Sequence, residues 1–304
     1  MNKLNENIFH LYDKWKEGYV RKETALEEKI KEMREWAKRT FREDDFDKMD
    51  FDPDGISVNG DIFISGPKIT GEIPYPFTNC YDSFIIRYSS KLTSLKNCPR
   101  YVKYEFDCSS CGSLTSLIGA PEKSGDFDCH NNSLLKSLEG APKKVGGNFN
   151  CRDCISLTSL EEAPEEVEGS FYCSGCHSLL SLKGTPEYVD GNFDCHDCDS
   201  LTSLEGAPKE VESDFDCYDC DSLTSLEGAP KEVEGSFNCN GCNSLLSLEG
   251  APEKVEGDFN CYECASLTSL EYLPKKIGGD LCVDERFYGK IPEDVIIKGE
   301  ELYV

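Results

Sequence analysis

The chain has 304 residues with a net charge of −26, and only 38% of the residues are hydrophobic. This low apolar share argues against one large spherical core and favours an elongated chain whose segments each bury little surface. The sequence contains no run of 18 apolar residues, so we predict no transmembrane helix. Because phosphate groups would be repelled, the charge disfavours direct binding of nucleic acid or of an anionic membrane.

Eighteen residues are cysteines. In a short secreted protein, this number would predict a disulfide framework. The present chain is long, and its N-terminal segment has neither the apolar run nor the small-residue cleavage site of a secretory signal. We therefore expect a cytoplasmic protein with free thiols.

Residues 1–50 differ from the rest of the chain because their acidic and basic residues nearly balance. Two apolar runs follow helical spacing there: Leu4, Ile8, Leu11, Tyr12 and Trp15, then Leu26, Ile30, Met33, Trp36 and Ala37. Because Gly18 separates the runs, we predict a helical hairpin with helices at 4–17 and 21–40. Its expected role is to cap the exposed edge of the following sheet. Dimerisation or partner docking is the alternative role.

The segment 43–56 is acidic and rich in turn-forming residues, which predicts a linker. We therefore divide the chain into two parts. Residues 1–50 form the helical cap and the start of the acidic linker, and residues 51–304 form a repeat domain. Almost all of the net negative charge lies in the second part.

Internal repeats dominate the second part. Phe106 and seven later phenylalanines recur every 21 or 22 residues, and each is followed two residues later by a cysteine. Seven of these eight units have another cysteine three residues further on, then Ser-Leu-x-Ser-Leu, Pro and usually Val. One unit, residues 215–236, reads FDCYDCDSLTSLEGAPKEVEGS. Degenerate copies extend the series from Ile62 to the end of the chain, where Leu302 and Val304 take the Phe and first-Cys places.

Each Phe lies two residues before its cysteine, so in a strand both side chains point to the same face. A strand this short must pair in register with the same strand of the next repeat. The 22-residue period leaves room for an irregular return segment but not for a long crossover helix. Leu114, Leu117 and their counterparts point inward from that segment. The period therefore predicts a mainly β protein, a parallel β-solenoid or horseshoe of about twelve rungs with an N-terminal α-helical cap.

The segment from Phe215 through Cys217 and Cys220 to Leu223 resembles the leucine-rich-repeat motif L-x-L-x-x-N/C-x-(x)-L. The first cysteine replaces a core leucine, and the second occupies the Asn/Cys position. The sequence S-L-T-S-L-E-G-A-P-K-E-V resembles Cys-rich repeat proteins encoded by bacteriophages and bacterial mobile elements. The resemblance covers residues 60–304. It implies a leucine-rich-repeat-like fold and a product that blocks a host factor.

Seven CxxC pairs suggest zinc or an iron–sulfur cluster. Two features favour buried structural thiols instead. Asn132 and Ser89 occupy the second cysteine position in other units, and Ile86 and Val283 occupy the first. A hydrogen-bonding position accepts Cys, Asn or Ser, whereas a thiolate ligand accepts no such replacement. We therefore predict no metal and no cofactor, and metal binding by the CxxC array stays as an alternative.

Three columns of residues form the expected concave face. Column 1 precedes each Phe, column 2 lies between Phe and the first cysteine, and column 3 follows that cysteine. Columns 1 and 2 are acidic or amide-bearing, which suits a basic partner. Specificity is expected where aromatic or basic residues interrupt the repeated pattern, since Tyr and Arg are common interface anchors. The predicted partner-binding residues are Asp128, Arg152, Tyr172, Asp194, His196, Asp216, Tyr218, Asn238, Asn260 and Tyr262.

No catalytic residues are predicted. His130 and His196 lie three rungs apart, His10 and His177 have no evident partner, and phosphate-loop, HExxH and GxSxG motifs are absent. We predict a non-enzymatic scaffold that binds a protein with a basic surface, and neither nucleic acid nor membrane. The alternatives are an acidic DNA mimic that blocks a nucleic-acid-binding protein, and a metal-binding protein.

Overall fold

The computed structural model describes residues 2–304, with side chains described from Lys14 onward. Its largest sheet, here the Phe sheet, has twelve parallel strands, each paired with the strand one turn away. The predicted mainly β parallel solenoid with an N-terminal helix is confirmed. The strands are Ile62–Ser65, Phe84–Arg87, Glu105–Asp107, Asp126–Asp128, Phe149–Asn150, Phe171–Tyr172, Phe193–Asp194, Phe215–Asp216, Phe237–Asn238, Phe259–Asn260, Leu281–Val283 and Glu301–Tyr303.

A second sheet, here the Val sheet, is built from the return segments of the same turns. Its strands have two residues each, of which the first is mostly charged and exposed and the second is mostly a buried valine. The nine strands are Lys123–Ser124, Lys144–Val145, Glu166–Val167, Tyr188–Val189, Glu210–Val211, Glu232–Val233, Lys254–Val255, Lys276–Ile277 and Ile296–Ile297.

The core lies between the two sheets and repeats with every turn. Nine phenylalanines from Phe84 to Phe259 are fully buried, and neighbouring rings have centroids 5.1–6.0 Å apart. The first cysteine, the two leucines and most of the valines of each turn are also buried, as predicted. Because each turn buries little surface alone, stability comes from contacts with the neighbouring turns.

The predicted helical hairpin is wrong, because α1 is a single helix of 39 residues, Asn2–Thr40. Gly18 costs the helix about 1 kcal/mol relative to alanine, but glycine keeps its backbone N–H and so does not end a helix as proline would. Around Gly18, a Cβ atom would meet nothing within 4 Å, so no packing requires a turn there. The side chains of the apolar run Leu4–Tyr12 and of His10 lie outside the described residues. None of the described helices, α1 included, is long and apolar enough to cross a membrane.

The C-terminal end of α1 caps the first turn of the solenoid. Met33 and Ala37 are fully buried, and the Trp36 ring lies 6.3 Å from the ring of Phe77. The Phe41 and Phe77 rings are 6.1 Å apart, and the Phe77 ring is 5.0 Å from Phe84. The helix therefore extends the aromatic stack past the first strand of the Phe sheet.

The predicted linker at 43–56 instead contains α2 (Glu43–Phe46) and a β-hairpin of Met49–Asp52 with Gly55–Val58. This hairpin joins strand Phe77–Cys80 in a third, three-stranded sheet, and it crosses the boundary predicted at residue 50. The DPDG sequence forms its turn, where the Asp52 carboxylate accepts the N–H of Gly55 at 3.2 Å. The turn-forming residues therefore do form a turn, but the short apolar runs on either side of it pair as strands and bury against the cap.

The last rung is shifted by one residue from its predicted place. Glu301 and Tyr303 pair with Leu281 and Val283, so Leu302 lies on the outer face. The return segment before this strand differs from the others because it contains a 3₁₀ helix, Glu285–Phe287, whose Phe287 is buried. The last step is therefore 20 residues rather than 21.

Candidate protein-binding face

Column 1 has a structural role that the sequence did not reveal. In most turns, the Asp, Asn or Ser side chain of this column accepts the backbone N–H of the column 1 residue one turn later, at 2.6–3.3 Å. Aspartate, asparagine and serine side chains all accept this backbone hydrogen bond. The acidic character of column 1 is therefore explained in part by backbone hydrogen bonding between turns.

Column 2 holds the sharp turn that ends each strand. Asp128, Asn150, Asp194, Asn238 and Asn260 each accept the N–H of the residue two positions later, at 2.9–3.3 Å. This is the Asx-turn geometry that Asp and Asn favour. The residue after column 3 then takes a left-handed conformation, as at Asp197 (φ 55°) and Asp219 (φ 52°). Four of the predicted binding residues, Asp128, Asp194, Asn238 and Asn260, thus also shape the backbone.

Four residues that break the repeat pattern meet around Asp194, whose side chain is 6% exposed. The Arg152 guanidinium reaches across two turns to bind one Asp194 oxygen, and it lies over the Tyr172 ring at 4.0 Å. His196 Nδ1 donates to the other Asp194 oxygen at 2.5 Å. The His196 and Tyr218 rings stack with centroids 4.2 Å apart. We call these five residues the Arg152–Tyr218 cluster.

The charged groups of the cluster shift one another's pKa values. Burial alone would raise the pKa of Asp194, but hydrogen bonds from His196 and Arg152 outweigh it and lower that pKa. Burial would lower the pKa of His196. The hydrogen bond to Asp194 and the charge of that carboxylate outweigh burial, so the pKa of His196 is raised. Burial and the nearby aspartates raise the pKa of Tyr218, so its hydroxyl stays neutral at physiological pH. The cluster is therefore a preformed platform that consists of the Asp194 ion pairs, one cation–π contact and one stacked ring pair.

An acidic cleft of about 220 Å³ opens beside the cluster, between Arg152 and Tyr172 at one end and Glu105 at the other. Burial, together with the charges of Asp107, Asp128 and other aspartates, raises the pKa of Glu105. A larger groove of about 640 Å³ lies on the Val sheet, between residues 207–212 and 228–234. That groove is lined by residues that recur in almost every turn, so it carries no site-specific signal.

The remaining predicted site residues do not join the cluster. Asp128 forms a separate pair with His130, with 2.7 Å between carboxylate and Nδ1. Asn238, Asn260 and Tyr262 lie on later turns of the same face, and Asp216 lies next to the cluster. The prediction that His177 has no partner is wrong, because Asp199 on the next turn is 3.0 Å from its Nδ1.

Three members of the face are absent from the predicted binding residues. Ser174 contributes a hydroxyl 3.4 Å from the Asp194 carboxylate. Asp107 is 3% exposed and pairs with Arg87 at 3.7 Å, in an arrangement that resembles the Asp194 site on a smaller scale. The signal was present, since Arg87 and Arg152 are arginines in an otherwise mostly uncharged column. The sequence of a single repeat does not show which residues pair across turns.

The second cysteines of the CxxC pairs form a hydrogen-bond ladder. Each thiol donates to the backbone carbonyl of the first cysteine, or its equivalent, one turn earlier, at 3.0–3.4 Å. Asn132 donates to the equivalent carbonyl, that of Cys108, which confirms the predicted exchange of Cys and Asn. Ser89 also donates to a carbonyl of the preceding turn, but to that of Gly66, two residues past the equivalent position. Burial raises the pKa of Cys220 to about 12, so the sulfur keeps its proton. Among residues with described side chains, no group of three or more His, Cys, Asp or Glu is arranged to hold a metal.

Replacing Cys220 tests this ladder. We expect Cys220→Ala to lower the free energy of unfolding by about 1–2 kcal/mol, because it leaves a small cavity and an unpaired Cys195 carbonyl. Cys220→Asn should cost less than Cys220→Ala, because an amide can donate to the same carbonyl as Asn132 does. Urea denaturation of both variants gives the comparison. Equal losses in the two variants would contradict the ladder.

Comparison of the chain with protein-family models, with curated proteins and with solved structures finds no match.

Proposed function

We propose that this chain is a non-enzymatic scaffold that binds a protein with a basic surface through the outer face of the Phe sheet. One observation carries the proposal. Four residues that depart from the repeat pattern, Arg152, Tyr172, His196 and Tyr218, lie in one contiguous cluster around Asp194. If the repeats served only to build the solenoid, residues that depart from the pattern would be expected to lie scattered over the turns rather than in contact with one another.

The cluster has the composition of an interface anchor. Binding hot spots are enriched in Tyr and Arg, and rings that are already held in place lose little conformational entropy when a partner arrives. The Arg152 side chain is 37% exposed and the His196 side chain 23%, so both remain within reach of a partner. Tyrosine ring faces also accept cationic side chains through cation–π contacts.

Acidic residues around the cluster favour a basic partner. Asp126, Asp128, Asp214 and Asp216 flank it on the same face. The hydrogen bonds that Asp126 and Asp214 accept come from neutral backbone N–H groups, which bring no positive charge to these carboxylates. A face of one sign attracts an oppositely charged protein and speeds its association, in a way that added salt weakens. The anchor residues would then supply the part of the affinity that resists salt.

The origin and location of the protein form a finer part of the proposal. The 22-residue Cys-rich repeat supports a leucine-rich-repeat-like product of a bacteriophage or mobile element. Such a product would act in the host cytoplasm by covering the basic surface of a host factor. The free, buried thiols suit a reducing compartment.

A matched pair of tyrosine variants tests the binding face. Tagged wild-type protein is used to capture partners from a lysate of the organism that carries the sequence, with identification by mass spectrometry and affinity measurement on the purified partner. We expect Tyr218→Ala to weaken binding at least about tenfold, as for an interface hot spot. Tyr188→Ala should bind as wild type, because Tyr188 is an exposed tyrosine on the Val sheet.

The outcomes separate the alternatives. Equal binding by wild type and Tyr218→Ala would place the interface elsewhere and overturn the proposal. A captured nucleic-acid-binding protein that added DNA displaces would support the acidic DNA mimic instead. A partner retained at moderate salt, not displaced by DNA and lost in Tyr218→Ala, would support the scaffold.

A further inference from the structure

Exposed tyrosines gather at the N-terminal end of the side of the solenoid that carries the Val sheet. They are 42–52% exposed and comprise Tyr81, Tyr101 and Tyr104. Two of them depart from the repeat pattern, since the place of Tyr104 is mostly glycine in later turns and the place of Tyr81 is mostly aspartate or glutamate. A group of large exposed side chains on one surface is typical of an interaction site.

Pairing between neighbouring turns makes this group contiguous. Tyr101 pairs with Lys123 on the next turn, and a bridge one residue earlier sets Tyr81 beside Lys103. Neighbouring turns are about 4.8 Å apart, so these side chains lie within reach of one another. The Lys103 ammonium group also lies over the Tyr104 ring, 4.6 Å from its centre. We define the tyrosine patch as Tyr81, Arg100, Tyr101, Lys103, Tyr104 and Lys123.

The tyrosine patch has a net positive charge. Among the described side chains, Lys103 and Lys123 form no ion pair with a carboxylate, whereas Arg100 pairs with Glu122. Asp82 is the other acidic group nearby, and it acts on Lys103 only through its charge. Three basic groups therefore meet two acidic ones, and the ammonium groups of both lysines are open to a carboxylate from outside.

This positive charge is an exception in the repeat region, which carries almost all of the net charge of −26. Residues 90–104 contain four basic residues and no acidic one. In later turns, the place of Lys103 is taken by Glu168, Glu212 and Glu234. The acidic columns of the Phe sheet lie behind the patch, and sheets packed face to face are about 10 Å apart. At physiological ionic strength, charges more than about 8 Å away are largely screened.

We propose that the tyrosine patch binds an acidic segment of a second protein, so that the chain joins this acidic partner to the basic partner held at the Phe sheet. The two lysines supply ammonium groups for carboxylates. Tyrosine hydroxyls donate to carboxylates elsewhere in this chain, as Tyr303 does to Glu301 at 2.7 Å. The tyrosine rings add apolar contact area beside these polar groups.

The size of the patch favours an acidic protein segment over a nucleic acid. Nucleic acids carry closely spaced phosphates, and proteins that bind them neutralise many of these with Lys and Arg. The tyrosine patch offers three basic groups over three turns, which span roughly 10 Å. A long polyanion would continue from the patch onto turns where glutamates take the place of Lys103, whereas a short acidic segment would not.

Fluorescence anisotropy with a defined peptide tests the proposal on the full chain. The probe is a fluorescein-labelled peptide of repeated Glu-Glu-Leu, titrated with the protein at about 0.15 M salt. We expect saturable binding that Lys103→Glu weakens at least about tenfold, because an attractive contact becomes a repulsive one. Lys136→Glu makes the same charge change at an exposed lysine outside the patch and should leave the affinity unchanged.

Two tyrosines in the same place of different turns give a second matched comparison. Tyr101 and Tyr188 each precede the valine of their turn and are 42% and 51% exposed. The neighbours of Tyr188 are acidic, among them Glu187 and Asp190. We expect Tyr101→Ala to weaken binding of the Glu-Glu-Leu peptide about tenfold, as for an interface hot spot, and Tyr188→Ala to have no effect. Circular dichroism should show an intact fold for every variant.

The remaining outcomes decide against the patch or keep it apart from the Phe sheet. Tyr218→Ala should bind the Glu-Glu-Leu peptide as wild type does, so a failure at the Phe sheet leaves this result unchanged. Absence of saturable binding up to about 1 mM protein would overturn the proposal. Equal weakening by Lys103→Glu and Lys136→Glu would show a response to net charge alone and would also overturn it. A labelled oligothymidylate that binds more tightly than the peptide, and is lost in Lys103→Glu, would identify a nucleic-acid site instead.

Discussion

Phe193→Ala is expected to lower the free energy of unfolding by about 3–5 kcal/mol, the largest effect of any single substitution considered for this protein. Phe193 is fully buried in the middle of the aromatic stack, with the rings of Phe171 and Phe215 at 5.7 and 5.1 Å. Truncation removes both ring contacts and leaves a cavity that the short strands on either side cannot close. The loss therefore includes the transfer term and the cavity term together.

The form of the unfolding curve is also expected to change. Solenoid stability is a sum of the intrinsic terms of each repeat and the interfaces between neighbours. A weak turn at Phe193 separates two stable halves, so the denaturation of Phe193→Ala should broaden or divide into two steps. Wild-type protein should show a steeper single transition. Urea denaturation followed by circular dichroism and by tyrosine fluorescence measures both features.

Two controls make the result specific. Phe193→Leu keeps most of the buried volume and should cost clearly less than Phe193→Ala. Leu246→Ala removes a large side chain that is 60% exposed and should change the free energy by no more than about 0.5 kcal/mol. A Phe193→Ala loss as small as that of Leu246→Ala would show that the aromatic stack does not hold the turns together.

Asp194→Asn is expected to disrupt the Arg152–Tyr218 cluster and to lower the free energy of unfolding by about 1–3 kcal/mol. The amide oxygen of asparagine can still accept the backbone N–H of His196, so the Asx turn at position 194 is kept. The charge that holds the Arg152 guanidinium and the His196 ring is lost. Arg152 is then left partly buried without its carboxylate. If the proposed binding face is correct, partner affinity should fall together with stability.

The pH dependence follows from the two shifted groups. The lowered pKa of Asp194 adds stability that is present above its unfolded pKa of about 3.9 and is lost as the pH falls through the lower folded pKa. The raised pKa of His196 adds stability that is complete below its unfolded pKa of about 6.5 and is lost as the pH rises through the higher folded pKa. The cluster therefore stabilises the fold most between about pH 4 and pH 6.5. In Asp194→Asn, this part of the pH dependence should disappear.

The measurement is an NMR titration of His196 with urea denaturation at pH 5.5 and pH 8. The His196 pKa should fall in Asp194→Asn, because burial then acts without the opposing carboxylate. Asp128→Asn is the matched control, since Asp128 holds His130 in the same way on a distant turn. It should shift the pKa of His130 and leave His196 unchanged. An unaltered His196 pKa in Asp194→Asn would refute the assigned ion pair.

The three columns of the face differ in what the backbone requires of them. In column 1 and column 2, Asp, Asn and Ser hold the backbone of adjacent turns together, so their acidity has a structural cause as well as an electrostatic effect. Column 3 carries no such backbone requirement, and it is there that Arg152, His196 and Tyr218 occur. Tyr172 replaces an Asx residue in column 2 and so gives up a turn hydrogen bond that Asp and Asn supply elsewhere.

The sequence by itself determined the solenoid, its period, its buried Phe, Cys and Leu residues, and the ladder position where Cys and Asn exchange. This was possible because every turn has the same local requirement, so the pattern can be compared among many copies. It did not determine whether Gly18 breaks the helix or whether the acidic segment around Asp52 is a linker, since each occurs once and depends on nearby packing. The tertiary structure alone decided that Arg152 reaches Asp194, 42 residues away, across two turns. Contacts of that kind depend on the stacking of the turns, and no spacing within one repeat records them.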